Sequence, residues 1–386
     1  MSIIAWFVAL AACVIWSCLL FARGGFWRAQ ERDDAPAAAP AASMEWPAVV
    51  AIVPARDEAP LIAETLGSLL RQRYPGSFSV ILVDDHSADG TAACAREAAA
   101  AAAATDRLTV LAGAALPPGW SGKLWAVAQG VHQAQRQPQP PEYLWFTDAD
   151  IAHEPDALAA LVTRARQHDL VLTSLMVKLR CESLAERALI PAFVFFFQML
   201  YPFRWVNSPG RATAAAAGGC ILVRTTALAA AGGIEAIRGA LIDDCALARR
   251  LKAHGRIWLG LTERAHSIRP YVGVREIRRM VARTAYVQLR ESPLLLAATV
   301  LGMVVTYLAP PLTACFAGGA ARLPGIAAWA MMAFAYQPTL RLYRRSWLWG
   351  LALPAIAAAY LLFTLDSAWQ HWRGAGGMWK GRAHAG

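Results

Sequence analysis

Two apolar patterns share this chain. Residues 3–22 form one nearly uncharged run long enough to cross a bilayer, and apolar sequence dominates again from 294 to 365. Between them the apolar runs are short and end in polar turns. Residues 49–53, 80–83, 108–111, 143–147, 170–177 and 257–261 read as buried strands, and Gly218-Gly219-Cys220 leads into another. Helical stretches at 61–71, 91–104, 123–135, 155–167 and 241–254 lie between them. This alternation predicts an α/β domain whose mostly parallel sheet carries helices on both faces. Such sheets bind ligands at the carboxyl ends of their strands, and the polar clusters of this chain fall at those ends.

The long runs predict membrane helices at both ends. The first lacks a basic start and a small-residue cleavage site, so it reads as a retained anchor. The C-terminal region divides into about three spans: 294–308 continuing past Pro310-Pro311, 326–336, and 347–365 with Pro354 inside. Arg23, Arg28 and Arg32 follow the first span and place the next domain in the cytoplasm, facing an inner membrane. Arg341, Arg344 and Arg345 would lie on the same side. The basic tail Trp379-Lys380-Gly381-Arg382 would then lie outside, unless the segment kinked at Pro354 is re-entrant. Residues 189–203 are strongly aromatic but too short to span, which leaves a buried core helix or an interfacial one. Residues 274–291 read as a basic amphipathic helix. The expected organisation is an anchor (1–22), an Ala/Pro linker (23–46), the α/β domain (47–292), the membrane region (293–368) and a basic tail (369–386).

Composition agrees with this division. The 386 residues are 57% hydrophobic and 17% charged, with a formal net charge of +10. The basic residues flank apolar spans and form no stripe with interleaved aromatics, which favours anionic membrane lipids over nucleic acid. Seven cysteines are scattered without a Cys-x-x-Cys pair, which argues against a zinc site or a disulfide framework.

Four acidic clusters end at one edge of the expected sheet: Asp57-Glu58, Asp84-Asp85, Asp148-Ala149-Asp150 and Asp243-Asp244. Each has a plain alternative as a helix cap or an acidic first turn. In extended backbone Asp148 and Asp150 point to one side, so the pair can hold a hard divalent cation, Mg2+ or Mn2+. Like charges gathered so closely call for a cation, and Lys123 and the arginines after Arg275 can face a diphosphate.

In order along the chain, Val53-Pro54-Ala55-Arg56-Asp57-Glu58, Val83 to Thr91, Asp148-Ala149-Asp150 and Asp243-Asp244 resemble a family 2 glycosyltransferase with the GT-A fold. Pro118 to Ala126 and Phe193 to Pro202 are similar, more narrowly, to the hopene-associated glycosyltransferases of hopanoid-producing bacteria. The resemblance covers about residues 48 to 311, with a weaker match at 379–382. It implies an inverting, metal-dependent transfer of a sugar from a nucleotide-sugar donor to a lipid acceptor. Ala55, Asp57, Glu58, Asp84 and Asp85 would then contact the nucleotide. Lys123 would lie near the diphosphate. Asp148 and Asp150 would hold the metal, Asp150 the more firmly, and Asp244 would be the general base. Asp243 stands where the family has Glu. Arg283 is the best match to the family's Gln-or-Arg-x-x-Arg-Trp motif, but Met280 and Thr284 replace its other members, which argues against processive polymer synthesis.

Two other readings compete with this one. A sugar-nucleotide pyrophosphorylase would need a Gly-rich loop where Ala55 to Glu58 stand. A non-catalytic membrane binding or transport protein would not need the carboxylates.

Overall fold

The computed structural model describes residues 3–33 and 45–374; residues 34–44 of the linker expected at 23–46 and the tail motif at 379–382 lie outside them. The chain divides into two compact units. One comprises Glu31–Arg180 and Trp205–Pro270. The other comprises, among the described residues, 3–30, Cys181–Arg204 and 271–374.

The first unit is built on an eight-stranded sheet. Its strands are β1 (Val49–Ala55), β2 (Phe78–Asp84), β3 (Leu108–Ala112), β4 (Tyr143–Thr147), β5 (Ile151–His153), β6 (Leu170–Lys178), β7 (Cys220–Arg224) and β8 (Arg256–Ser267). They are ordered β3-β2-β1-β4-β7-β6-β8-β5. β3, β2, β1 and β4 pair in parallel, as do β6 and β8, whereas β7 and β5 run against their neighbours. The sheet is therefore mixed, with helices on both faces. β1 is buried along its whole length, which its unbroken apolar sequence requires of a central parallel strand. Its core includes Ile62, Leu66, Trp145 and Leu222.

Several boundaries differ from the sequence reading. β8 spans 12 residues, not the five of 257–261, because the polar residues after Leu261 pair with β5. Residues 31–33, inside the expected linker, also belong to this unit. Leu261 N donates to Glu31 O, Asp33 N donates to Leu261 O, and the buried Asp33 carboxylate accepts from Thr262.

The second unit is helical. Ile3–Phe21 and Pro293–Phe316 are long and apolar enough to cross a membrane, the latter running through a π-helical turn at Val304–Leu308. Arg322–Leu342 and Leu353–Trp372 pack with them. Pro310 and Pro311 do not end their helix. Pro310 has no N–H, so Thr306 O lacks its usual partner four residues on; the buried Trp16 side chain donates to it at 2.8 Å. The aromatic helix is Leu184–Leu200, started by a capping box of Ser183 and Glu186. Phe195 is buried against Phe26 and Tyr336, and Tyr360 donates to Leu189 O. Of the two readings left open for this segment, the core helix describes it. The basic helix at 274–291 is two pieces, Val274–Ala282 and Ala285–Gln288, and Arg283 closes the first.

Candidate active site

Parallel pairing brings the carboxyl ends of β1, β2 and β4 to one sheet edge, so the residues after Ala55, Asp84 and Thr147 become neighbours. The first two loops are stitched together. Asp85 N donates to Ala55 O, Asp57 N to Ser87 Oγ, Ala88 N to Asp57 Oδ1, and Glu58 N to Thr91 Oγ1, each at 2.8–2.9 Å. Asp57 adopts a left-handed conformation (φ 50°), which Asp enters more readily than most residues, and its carboxylate bonds to the neighbouring loop at Ala88 N. The buried Asp85 faces Arg56, whose Nη1 donates to its backbone oxygen at 2.7 Å. Asp84 Oδ1 accepts from Ser87 N. These carboxylates thus shape the rim of the site.

The Asp-x-Asp turn is held from below. Thr147 Oγ1 donates to Gly219 O at 2.9 Å and meets His153 Nε2 at 2.8 Å. Burial and His266 push the His153 pKa down to about 3, so its ring is neutral packing under the turn. Asp150 O accepts from Ile268 N, which ties the turn to the end of β8.

Helix Gly122–Gln135 supplies Lys123. Ser121 Oγ caps it by accepting from Leu124 N, and Ser121 N donates to Arg238 O. Lys123 Nζ lies 2.8 Å from Asp148 Oδ1 and 3.5 Å from Asp243 Oδ2. Asp243 and Asp244 form the first turn of helix Asp243–Lys252, where the helix N-terminus favours negative charge. Asp244 accepts from Gly218 N (3.0 Å) and Cys245 N (2.7 Å). A Cβ at Gly218 would sit 3.5 Å from both Asp244 Oδ2 and Lys123 Nζ, in ordinary contact, so the backbone at 218 lies directly against both charged groups. These four charged groups line one cleft floored by Pro54, Phe146 and Ile221.

The electrostatics follow from crowding on an apolar floor. Burial opposes the charge on Lys123, but Asp148, Asp243 and Asp244 outweigh it and hold the ammonium pKa above its usual value. Burial, then Asp243, pushes Asp244 up to about 6, against the Cys245 N–H, Lys123 and the Gly218 N–H. Asp148 is raised by burial and relieved by Lys123.

Arg269 joins the site without any local sequence signal. It follows β8 and reaches both Glu58 carboxylate oxygens and Asp150 Oδ2 at 2.6 Å each. A lone Arg before Pro270 carries no motif; a carboxylate excess at one sheet edge was the available signal. The structure therefore brings together Lys123, Asp148, Asp243 and Asp244 directly, and Glu58 and Asp150 through Arg269. Arg283 belongs to the helical unit and is described only there.

The family described as glycosyltransferase like family 2 matches residues 47–307, well over half of the chain. The chain belongs to this family. No curated protein matches it. Among solved structures, this family 2-like glycosyltransferase is similar to a mannosyltransferase from Pyrobaculum calidifontis solved with GDP-Man and Mn2+. That match has 20% identity over 92% of this chain and 99% of the other, with a TM-score of 0.53, and shows a shared GT-A-like fold. TarS from S. aureus with UDP-GlcNAc matches at 16% identity over 85% and 92% of the two chains, TM-score 0.41. Mannosyl-3-phosphoglycerate synthase from Rubrobacter xylanophilus matches at 14% over 70% and 83%, TM-score 0.43.

The donor set of this glycosyltransferase fits a hard divalent cation that arrives with a ligand. Among the described residues, no three His, Cys, Asp or Glu side chains form a metal cage. Mg2+ and Mn2+ do not need one, since they commonly bind through one or two carboxylates with phosphate oxygens and water completing the shell. The ion-pair contacts of Asp148 and Asp150 use one oxygen each, Oδ1 and Oδ2 respectively.

Proposed function

We propose that this protein is a membrane-bound, inverting, metal-dependent glycosyltransferase that moves a sugar from a nucleotide-sugar donor to a lipid acceptor. The observation that carries this reading is Lys123 standing between Asp148 and Asp243 beside Asp244. One cluster then serves both halves of a displacement. Asp148 and Asp150 would hold the cation, with Asp150 the firmer ligand, and that cation would neutralise the diphosphate leaving group. Lys123 offers a second positive charge to the same group. Asp244 takes the proton of the attacking acceptor hydroxyl, and a carboxylate poised at about 6 suits that role near neutral pH. A single displacement, with one base and no required enzyme nucleophile, agrees with inversion.

The loops at Ala55 to Glu58 and Asp84 to Asp85 are assigned to the nucleotide, and their mutual hydrogen bonds support this by giving them a fixed shape. A lipid acceptor is supported by the apolar helices carried on the same chain, Ile3–Phe21 and Pro293–Phe316. Placement in a bacterial inner membrane, with the sheet unit cytoplasmic, rests on the arginines after the first of these. A hopanoid-related acceptor rests on the similarity of residues 118–126 and 193–202 to that group.

The test is turnover of GDP- and UDP-sugars by the detergent-purified full chain, with and without chelator, followed by a lipid profile of a deletion strain. The reading predicts chelator-sensitive sugar transfer and a missing glycolipid. Release of pyrophosphate from a sugar phosphate and a nucleoside triphosphate would instead support a pyrophosphorylase.

A further inference from the structure

Arg269 joins two carboxylates that come from different loops. Its Nη2 lies 2.6 Å from both oxygens of Glu58, and its Nε lies 2.6 Å from Asp150 Oδ2. The guanidinium fork fits this task because its donors are fixed in one plane. The Glu58 side chain is 8% exposed and that of Asp150 17%, so water screens neither charge well and each depends on a cation nearby. A guanidinium and a divalent ion on one carboxylate compete even when they take different oxygens, because the two cations repel each other and share a single negative charge.

We propose that Arg269 is the resident counter-ion of Asp150, released to a divalent cation when a diphosphate arrives to receive the guanidinium. This rests on the glycosyl-transfer reading of the same site. Its charge balance gives the direction. Among the described residues, Lys123 pairs with Asp148 and Asp243 and feels Asp244, and Arg269 pairs with Glu58 and Asp150, so five carboxylates meet these two cations. A diphosphate entering alone meets an excess of negative charge. A cation entering alone meets the positive charge of a guanidinium that Glu58 keeps beside Asp150. Entering together, the cation takes Asp150 and the diphosphate takes Arg269, so the two ligands bind with positive, reciprocal coupling.

The test is Mn2+ binding to the detergent-purified full chain, followed by the paramagnetic resonance of free Mn2+, alone and with GDP or UDP. Wild type should bind Mn2+ at least about tenfold more tightly with the nucleotide it accepts. Arg269→Gln should bind Mn2+ alone at least about tenfold more tightly than wild type, and should gain less from nucleotide. Arg269→Lys keeps the charge but cannot bridge both carboxylates, and should bind Mn2+ alone about threefold or more tightly. It also carries the test if Arg269→Gln does not fold. Unchanged Mn2+ affinity in these variants overturns the proposal. A gain in Arg269→Gln with none in Arg269→Lys also overturns it, because long-range charge would then suffice. If nucleotide has no effect on Mn2+ binding while sugar transfer is intact, the exchange is overturned and the donor reading stands. If both are missing, the donor reading has failed and the exchange with it.

Discussion

Lys123 Nζ stands 2.8 Å from Asp148 Oδ1, at the start of a helix whose cap is pinned by Ser121. Its ammonium faces carboxylates from two parts of the chain, Asp148 after β4 and Asp243 at the head of a helix. Lys123→Ala leaves both without their shared cation. Donor affinity should fall by about ten- to a hundredfold, or ~1.5–3 kcal/mol, measured by calorimetry with the nucleoside diphosphate. Lys123→Arg should restore part of this, because charge is kept while the shape changes.

Activity should rise with pH through an apparent pKa near 6, set by Asp244. The ionised form is the base, so the acid side of the profile is the inactive side. In Lys123→Ala the same limb should move to higher pH, since a cation that favours the carboxylate has gone. A profile of kcat against pH for the two proteins checks both statements. An acid limb that stays put would remove Lys123 from contact with the base.

Asp244→Asn should abolish transfer, keep donor binding and make the protein more stable at neutral pH. A carboxyl raised from 3.8 to about 6 holds its proton more tightly folded than unfolded. Stability therefore falls as pH rises through that window, and the folded protein carries the cost above it. Asn has no charge to bury. The gain should be of order 1 kcal/mol, allowing for partial exposure, or a few degrees of melting temperature at pH 7.5. It should vanish below about pH 4. Equal melting temperatures at both pH values would contradict the raised carboxyl.

Gly130→Ala should destabilise, although alanine is the better helix former by about 1 kcal/mol. A Cβ at Gly130 would sit 2.5 Å from Ile52 Cγ2 and 3.3 Å from Val83 Cγ2, pushing helix Gly122–Gln135 off β1 and β2. The expected loss is about 1–3 kcal/mol in thermal unfolding, with weaker donor binding because Lys123 rides on the same helix.

The parts of this site legible in the sequence are those with local causes. β1, β2 and β4 are apolar runs broken by acidic turns, so their ends and the grouping of Asp57, Asp84 and Asp148 follow from pattern and parallel pairing. Strand direction is a tertiary outcome, and nothing in Cys220–Arg224 itself says that it runs against β4. The polar half of β8 looks unlike a strand because its partner β5 is a three-residue piece formed by the turn at Asp150. Arg269 is invisible for the same reason, since its partners lie 119 and 211 residues away. Leu184–Leu200 has the composition of an interfacial helix, and its burial depends on Phe26, Tyr336 and Tyr360 from distant segments.

The bond from Trp16 to Thr306 also has a consequence for biogenesis. Its two ends are separated by 290 residues, so at ordinary rates of synthesis the donor is made about 15–60 s before the carbonyl it serves. Until then the buried indole N–H of the N-terminal helix has no native partner, and the helix interrupted by Pro310 does not yet exist. The helix carrying Trp16 therefore reaches this pairing only after 290 further residues have been translated.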